Sequence, residues 1–217
     1  MKQRKNLIIT CIVIFTTTML VGFNTYNGGP PYQEYKEYKL ILYLQEENSI
    51  MNHMLEEMNT IPHTKDIAID FLYTMIAHHE GAIDMSKILL KYGGDKKEVK
   101  TIAQNIVANQ SEEIKTMENL IKELEVEANI NTSKEEEYLS QYNKILEKNK
   151  IKDKSKPLNI DQVFIKEMIR HHEMAVEMSQ LILEYVNDVN IKNIAQNIVE
   201  EQNKEIEKMR NILTKME

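Results

Sequence analysis

Apolar residues return every three or four positions over most of the chain, the spacing of amphipathic helices rather than the alternation of strands. Ile102, Ile106, Met117 and Ile121 form one such stripe. Comparable stripes predict helices over roughly Asp66–Tyr92, Asp95–Ala128, Asp161–Tyr185 and Asp188–Met216. Gly93 and Gly94 end the first of these. Asp95, with Glu98 three residues on, reads as the cap of the second, and a turn near Asn187 separates the last two. A shorter helix, about Lys134–Glu147, is expected between the two pairs. It is flanked by the polar stretches Asn129–Ser133 and Lys148–Leu158, the latter punctuated by Pro157. Upstream, Tyr32–Asn59 reads as another amphipathic helix, ended before Pro62 and set off by Gly28, Gly29, Pro30 and Pro31.

The stripes belong to a repeat. The segment Phe71–Ser86 returns 93 residues later as Phe164–Ser179. Met75, His78, His79, Ala82 and Met85 recur there as Met168, His171, His172, Ala175 and Met178. The hexapeptide Ile102–Val107 returns unchanged as Ile194–Val199, and Gln110, Glu113, Ile114 and Met117 as Gln202, Glu205, Ile206 and Met209, now 92 residues on. The connection after the first helix is therefore one residue shorter in the second copy. A single two-helix hairpin cannot bury its apolar stripe, whereas two related hairpins can cover one another. The expected fold is all-α: a four-helix bundle of two repeated hairpins, plus an extra N-terminal helix and a crossover helix. The expected organisation is a leader over 1–31, a Met-rich helix over 32–65 and the bundle over 66–217. Within the bundle, repeat one covers 66–128, the crossover 129–159 and repeat two 160–217.

Composition narrows the function. The 217 residues carry 27 basic and 34 acidic side chains, a net charge of -7. Lys2, Arg4 and Lys5 are the only basic residues before Lys36, so the remainder carries 24 basic against 34 acidic groups. An acidic body opposes general nucleic-acid binding. There are 6 Gly, none after Gly94, and no Gly-rich phosphate loop. The single Cys, Cys11, lies in the leader, so thiolate zinc sites, Fe–S clusters, disulfides and Cys nucleophiles are excluded from the body. That leader has Lys2, Arg4 and Lys5 before the uncharged run Leu7–Phe23. A cationic start and apolar run read as a signal peptide or signal-anchor, which places the body outside the cytoplasm. The run would span about 26 Å as a helix against a hydrocarbon core of about 30 Å, so cleavage and retention both stay open.

The candidate chemistry lies in the paired histidines. At about 100° per residue, Met75, His78, His79 and Met85 share one sector of the first repeat helix with Ala82 at its middle. Phe71 and Leu89 lie in the same sector, so it faces inward, while Glu80 and Asp84 point to solvent. Met168, His171, His172, Ala175 and Met178 repeat the pattern. Imidazole with thioether suits copper, thioether favouring Cu(I) over Cu(II); imidazole alone also accepts zinc or nickel. The expected metal residues are His78, His79, His171, His172, Met75, Met85, Met168 and Met178. The competing reading is a polar network of core histidines with Met as filler. Gln110, Glu113, Gln202 and Glu205 lie on inward stripes, and Glu113 and Glu205 are either partners of the imidazoles or ligands themselves. Met51, Met54 and Met58, with His53 nearby, form either a thioether patch or a stripe docking on the bundle. His63 falls in a loop.

Two enzyme patterns fail. His79-Glu80 opens like a zinc-peptidase H-E-x-x-H, but Ile83 stands where the second His is needed, and Val176 in the other copy. A di-iron site needs Glu three before His, where this chain has Met75, Ile76, Met168 and Ile169. No catalytic residue is assigned.

The pattern Met75-x-x-His78-His79-x-x-Ala82-x-x-Met85, followed by Ala103–Ile106 and Gln110-x-x-Glu113-Ile-x-x-Met117, resembles domain of unknown function 305. The resemblance covers about Asp66–Met209. It implies a ferritin-like fold, often built from two copies of a two-helix repeat, in secreted or periplasmic bacterial proteins. Some members are associated with copper binding and tolerance. It points to the same four histidines and their neighbouring methionines. Gly81 is replaced by Met174 in the second copy, so the halves are unequal. The function expected is an extracytoplasmic metal-binding protein, for copper before zinc, that buffers the ion, confers tolerance or transfers it. Its expected partners are the metal ion, a copper transporter or chaperone, the membrane if the leader is retained, and a second copy of itself. The alternatives are a helical interaction module with structural histidines and, further off, a metal-dependent oxidase.

Overall fold

The structure is a computed structural model that describes residues 32–125, 132–150 and 159–216. Among these residues every regular element is a helix: α1 Tyr32–Thr60, α2 Ile67–Tyr92, α3 Lys97–Leu124, α4 Thr132–Asn149, α5 Ile160–Tyr185 and α6 Val189–Thr214. The leader, the extension of the second helix to Ala128 and most of the two polar connections lie outside the described residues.

Short polar side chains fix the helix starts by accepting the first free backbone N–H groups. Asp66 Oδ1 accepts from Ala68 N–H at 2.9 Å and Ile69 N–H at 3.4 Å, beginning α2. Asn159 Oδ1 accepts from Gln162 N–H at 2.9 Å at the start of α5. Asp188 Oδ1 accepts from Asn190 and Ile191 N–H at 2.8 and 3.0 Å, beginning α6. Gly93 ends α2 with φ 69°, a left-handed conformation that costs glycine little, and its N–H donates to Leu89 O at 2.8 Å.

The start of α3 departs from expectation. Asp95 does not cap it; the cap position is Lys96, whose side chain makes no capping bond. Asp161, from the first turn of α5, does the work instead. Its Oδ2 accepts from the N–H groups of Asp95 at 2.7 Å and Lys96 at 3.1 Å. Gly94 makes room, since a Cβ there would stand 1.8 Å from Asp161 Oδ1.

α2 pairs with α3 and α5 with α6, while α2 packs on α5 and α3 on α6, closing a four-helix ring. Asp161 brings the start of α5 to the end of α2, so these two helices run antiparallel. The two repeats are thus related by a pseudo-two-fold axis across the bundle. Phe71, Leu72, Leu89, Ile106, Phe164, Ile165, Ile182 and Met209 fill the core. α4 packs on α5. Leu40–Glu217 form one compact unit. The described part of Met1–Lys39 is the start of α1, where the Lys39 ammonium lies 5.2 Å from the Tyr35 ring centroid. None of the described helices is long and apolar enough to cross a membrane.

α1 docks through its methionines. Met54 is buried against α2 at Gly81, where a Cβ would meet its Sδ at 2.5 Å. The second repeat has Met174 at the matching position, and that side chain is itself buried. The inequality between the repeats is therefore spatial: one copy receives a methionine from α1, and the other supplies its own. Tyr43 meets Tyr92 edge-on at 6.1 Å, Glu46 accepts from Tyr92 Oη at 2.7 Å, and Tyr142 Oη donates to Met58 O at 3.2 Å.

Candidate metal centre

His78, His79, His171 and His172 all lie inside the bundle, each at most 1% exposed. α2 and α5 hold them there because the inward sector of each helix is otherwise apolar but for one buried serine, Ser86 and Ser179. Met75, Met85, Met168 and Met178 are buried with them. All eight residues named from the repeat therefore occupy the interior.

The imidazoles are arranged as a central pair and two outer rings. His78 and His171 face one another with ring centroids 3.7 Å apart and planes tilted by 39°. His79 stands 6.1 Å from His78, and His172 stands 6.1 Å from His171. Each outer ring turns to a carboxylate of its own hairpin. His79 Nε2 is 2.8 Å from Glu113 Oε2, and His172 Nε2 is 2.7 Å from Glu205 Oε2. These carboxylates are partly exposed, at 32% and 23%, while the rings they meet are not exposed at all. Glu113 and Glu205 are thus hydrogen-bond partners of the outer imidazoles in this structure.

Hydrogen bonding assigns the protons. A backbone carbonyl only accepts, so His78 Nε2, 3.0 Å from His171 O, must carry its hydrogen. The carboxylate oxygens of Glu113 and Glu205 likewise accept from the Nε2–H groups of His79 and His172. In these three rings the Nδ1 lone pair is left bare, and Nδ1 of all four histidines has no partner, nor has Nε2 of His171. An unpaired buried polar atom costs about 1–3 kcal/mol, so a row of them is a feature to be explained. Burial, and after it the charge the neighbouring imidazoles would carry, holds His78 and His171 well below the ordinary histidine pKa. Both are neutral, the form that binds metals. Among the described residues no three His, Asp or Glu donors converge closely enough to hold an ion. The four imidazoles form a chain of rings, with 6.1, 3.7 and 6.1 Å between successive centroids, rather than one cluster.

The weaker candidates lie elsewhere. Gly81, which receives Met54, is about 200° round α2 from His79, so Met54 lies on the opposite face of that helix. Met51 and Met58 are buried along the same face of α1, and His53 is exposed. His63 Nδ1 lies 3.6 Å from Asp70 Oδ2. Sequence reasoning gave no role to Ser86 and Ser179, which hold matching repeat positions on the histidine-bearing helices. Both are fully buried with unpartnered hydroxyls. Their recurrence 93 residues apart was the available signal.

Fold and site together define a duplicated helical-hairpin bundle enclosing four imidazoles and four buried methionines on the same two helices. The chain belongs to the family Domain of unknown function (DUF305), whose model matches residues 43–121 and 68–213. The match begins within α1, upstream of the expected Asp66. No curated protein matches the chain. Among solved structures it is similar to CopM in a silver-bound form obtained by soaking. That likeness has 24% identity and a TM-score of 0.51, covering 68% of this chain and 96% of that one. It is also similar to a DUF305 fragment from Deinococcus radiodurans, with 22% identity and a TM-score of 0.51, covering 70% of this chain and 97% of the fragment. Both likenesses establish the helical fold.

Proposed function

We propose that this chain binds a copper-class ion outside the cytoplasm, to buffer it, confer tolerance or pass it to a transporter or chaperone. The observation that carries the reading is the row of four buried, partnerless Nδ1 atoms among four buried methionines. Neutral imidazole and thioether are the donors that favour Cu(I), and imidazole also accepts Cu(II) and zinc. Glu113 and Glu205 fix the Nε2–H tautomer and direct Nδ1 inward, the arrangement by which outer carboxylates orient metal-binding histidines. Silver shares the charge and softness of Cu(I), so the soaked form of the structurally similar CopM is consistent with this chemistry. The leader over 1–31 serves as signal or anchor in this reading.

The stacked His78–His171 pair favours one rival, in which the four imidazoles are a structural polar network. Metal analysis of the untagged full chain, followed by Cu(I) and Zn(II) titration, separates the two. Joint replacement of His78 and His79 should weaken copper binding far more than joint replacement of His53 and His63. If the His78/His79 variant folds and binds copper with unchanged affinity and stoichiometry, the copper reading fails.

A further inference from the structure

A groove of about 410 Å³ runs between α3 and α6 on the outside of the bundle. Its walls carry Glu112, Glu113, Glu201 and Glu205, and no Lys or Arg lines it. Lys115 and Lys204 pair with Glu112 and Glu201 from the exposed side, at 3.1 and 2.9 Å. Gln110 and Gln202 also line the groove. Each is 2% exposed, and the Oε1 atoms of both have no partner. Glu113 and Glu205 join this space to the interior, since each is part-exposed in the groove and hydrogen-bonded to a wholly buried imidazole.

We infer that this groove is the port through which the metal ion reaches the buried histidines. The proposal rests on the copper reading above and adds the route. Carboxylates at the mouth concentrate a cation, and a low-dielectric cleft of one sign focuses that attraction. Gln110 and Gln202 then offer bare amide oxygens in place of hydration, one helical turn from the carboxylates that hold the outer histidines.

The repeat supplies an internal control, because the charges along the α3–α6 seam are not repeated. A second cleft on the α3–α6 seam is lined by Glu98, Glu207 and three lysines, Lys204, Lys208 and Lys215. The repeat equivalents of these lysines are Glu112, Thr116 and Glu123. Duplication thus left one cleft whose charged walls are all acidic and one of mixed charge on an otherwise symmetric bundle. A cation has reason to use the first.

The test is rapid-mixing kinetics of Cu(I) and Ag(I) transfer from a chromophoric chelator to the full chain. Thr116→Trp, an exposed position on the groove wall, should slow association and dissociation about tenfold while leaving Kd unchanged. Lys208→Trp, its repeat equivalent, should leave both rates within twofold. Glu112→Lys, which imports the residue the second repeat already tolerates there, should slow association about tenfold, the low end of electrostatic focusing. Tight binding with unslowed entry in folded Thr116→Trp and Glu112→Lys overturns the port and leaves the copper reading standing. Equal slowing by Lys208→Trp also overturns it. Absence of binding by the unaltered chain overturns both.

Discussion

His78 and His171 stand at equivalent places in the two repeats and meet ring to ring, with 3.7 Å between centroids and the Nε2–H of one donated to the backbone carbonyl of the other. Two imidazolium ions cannot share that position. Burial, and after it repulsion from neighbouring imidazoles, depresses both pKa values in the folded state below the value of about 6.5 in the unfolded chain. The unfolded chain therefore binds more protons below that pH. Stability of the metal-free protein should be fully present above about pH 6.5 and fall as the pH drops below it. The slope should approach 1.4 kcal/mol per pH unit for each proton taken up, as an order of magnitude. Urea midpoints across pH 4.5–7.5 check this, and a flat profile would contradict it. Replacing His171 with Leu should flatten the profile.

The thioethers should discriminate by softness. Met75→Leu and Met85→Leu conserve volume and remove only the sulfur donor. Each should weaken Cu(I) binding by about tenfold, or roughly 1.4 kcal/mol, and leave Zn(II) binding within twofold. Competition titrations with both ions are the measurement, and equal losses for the two metals would mean the sulfurs are packing atoms.

Glu113 acts through His79. Glu113→Ala should lower copper affinity by about 10–100-fold, the range expected when a carboxylate orienting a ligand histidine is lost. Glu113→Gln, which can still accept through its amide oxygen, should recover most of that loss. Rescue by Gln distinguishes a positioning role from direct ligation, because an uncharged amide is a poor substitute for a carboxylate ligand. Glu205 should behave the same way toward His172.

At Gly81 the structure predicts a conditional cost. Gly81→Met puts a side chain where Met54 lies and should destabilise the bundle by about 1–3 kcal/mol through overpacking. Adding Met54→Ala should restore much of that loss, since α5 already accommodates Met174 at the same repeat position. Urea unfolding of the two variants decides it, and the absence of rescue would show that α1 is not docked through Met54.

The elements were legible because the apolar stripes and several caps are local. Asp66, Gly93 and Asp188 each act on residues within four positions of themselves. Asp95 misled because a good local capping pattern was available, while the acceptor in use, Asp161, lies 66 residues away in sequence. The inward sector of α2 could be read from periodicity alone, and so could its burial. What periodicity does not contain is the pairing of His79 with Glu113 across 34 residues, or the stacking of His78 on His171 across 93. Docking of the Met51–Met58 stripe was one of the two readings open, but its target was not legible: nothing in Met51–Met58 says that a glycine on another helix has left a space for Met54.

The reach of Asp161 to the backbone of Asp95 and Lys96 has a consequence for how the chain is made. As synthesis proceeds from the N-terminus, the first hairpin is complete before α5 exists, and the opening turn of α3 then lacks its acceptor. That turn is secured only when the second hairpin arrives, lying antiparallel against the first. The two halves repeat one another in sequence, yet the first leaves the start of α3 without its acceptor until the second is in place. Assembly of the bundle is therefore a single late event rather than two early ones.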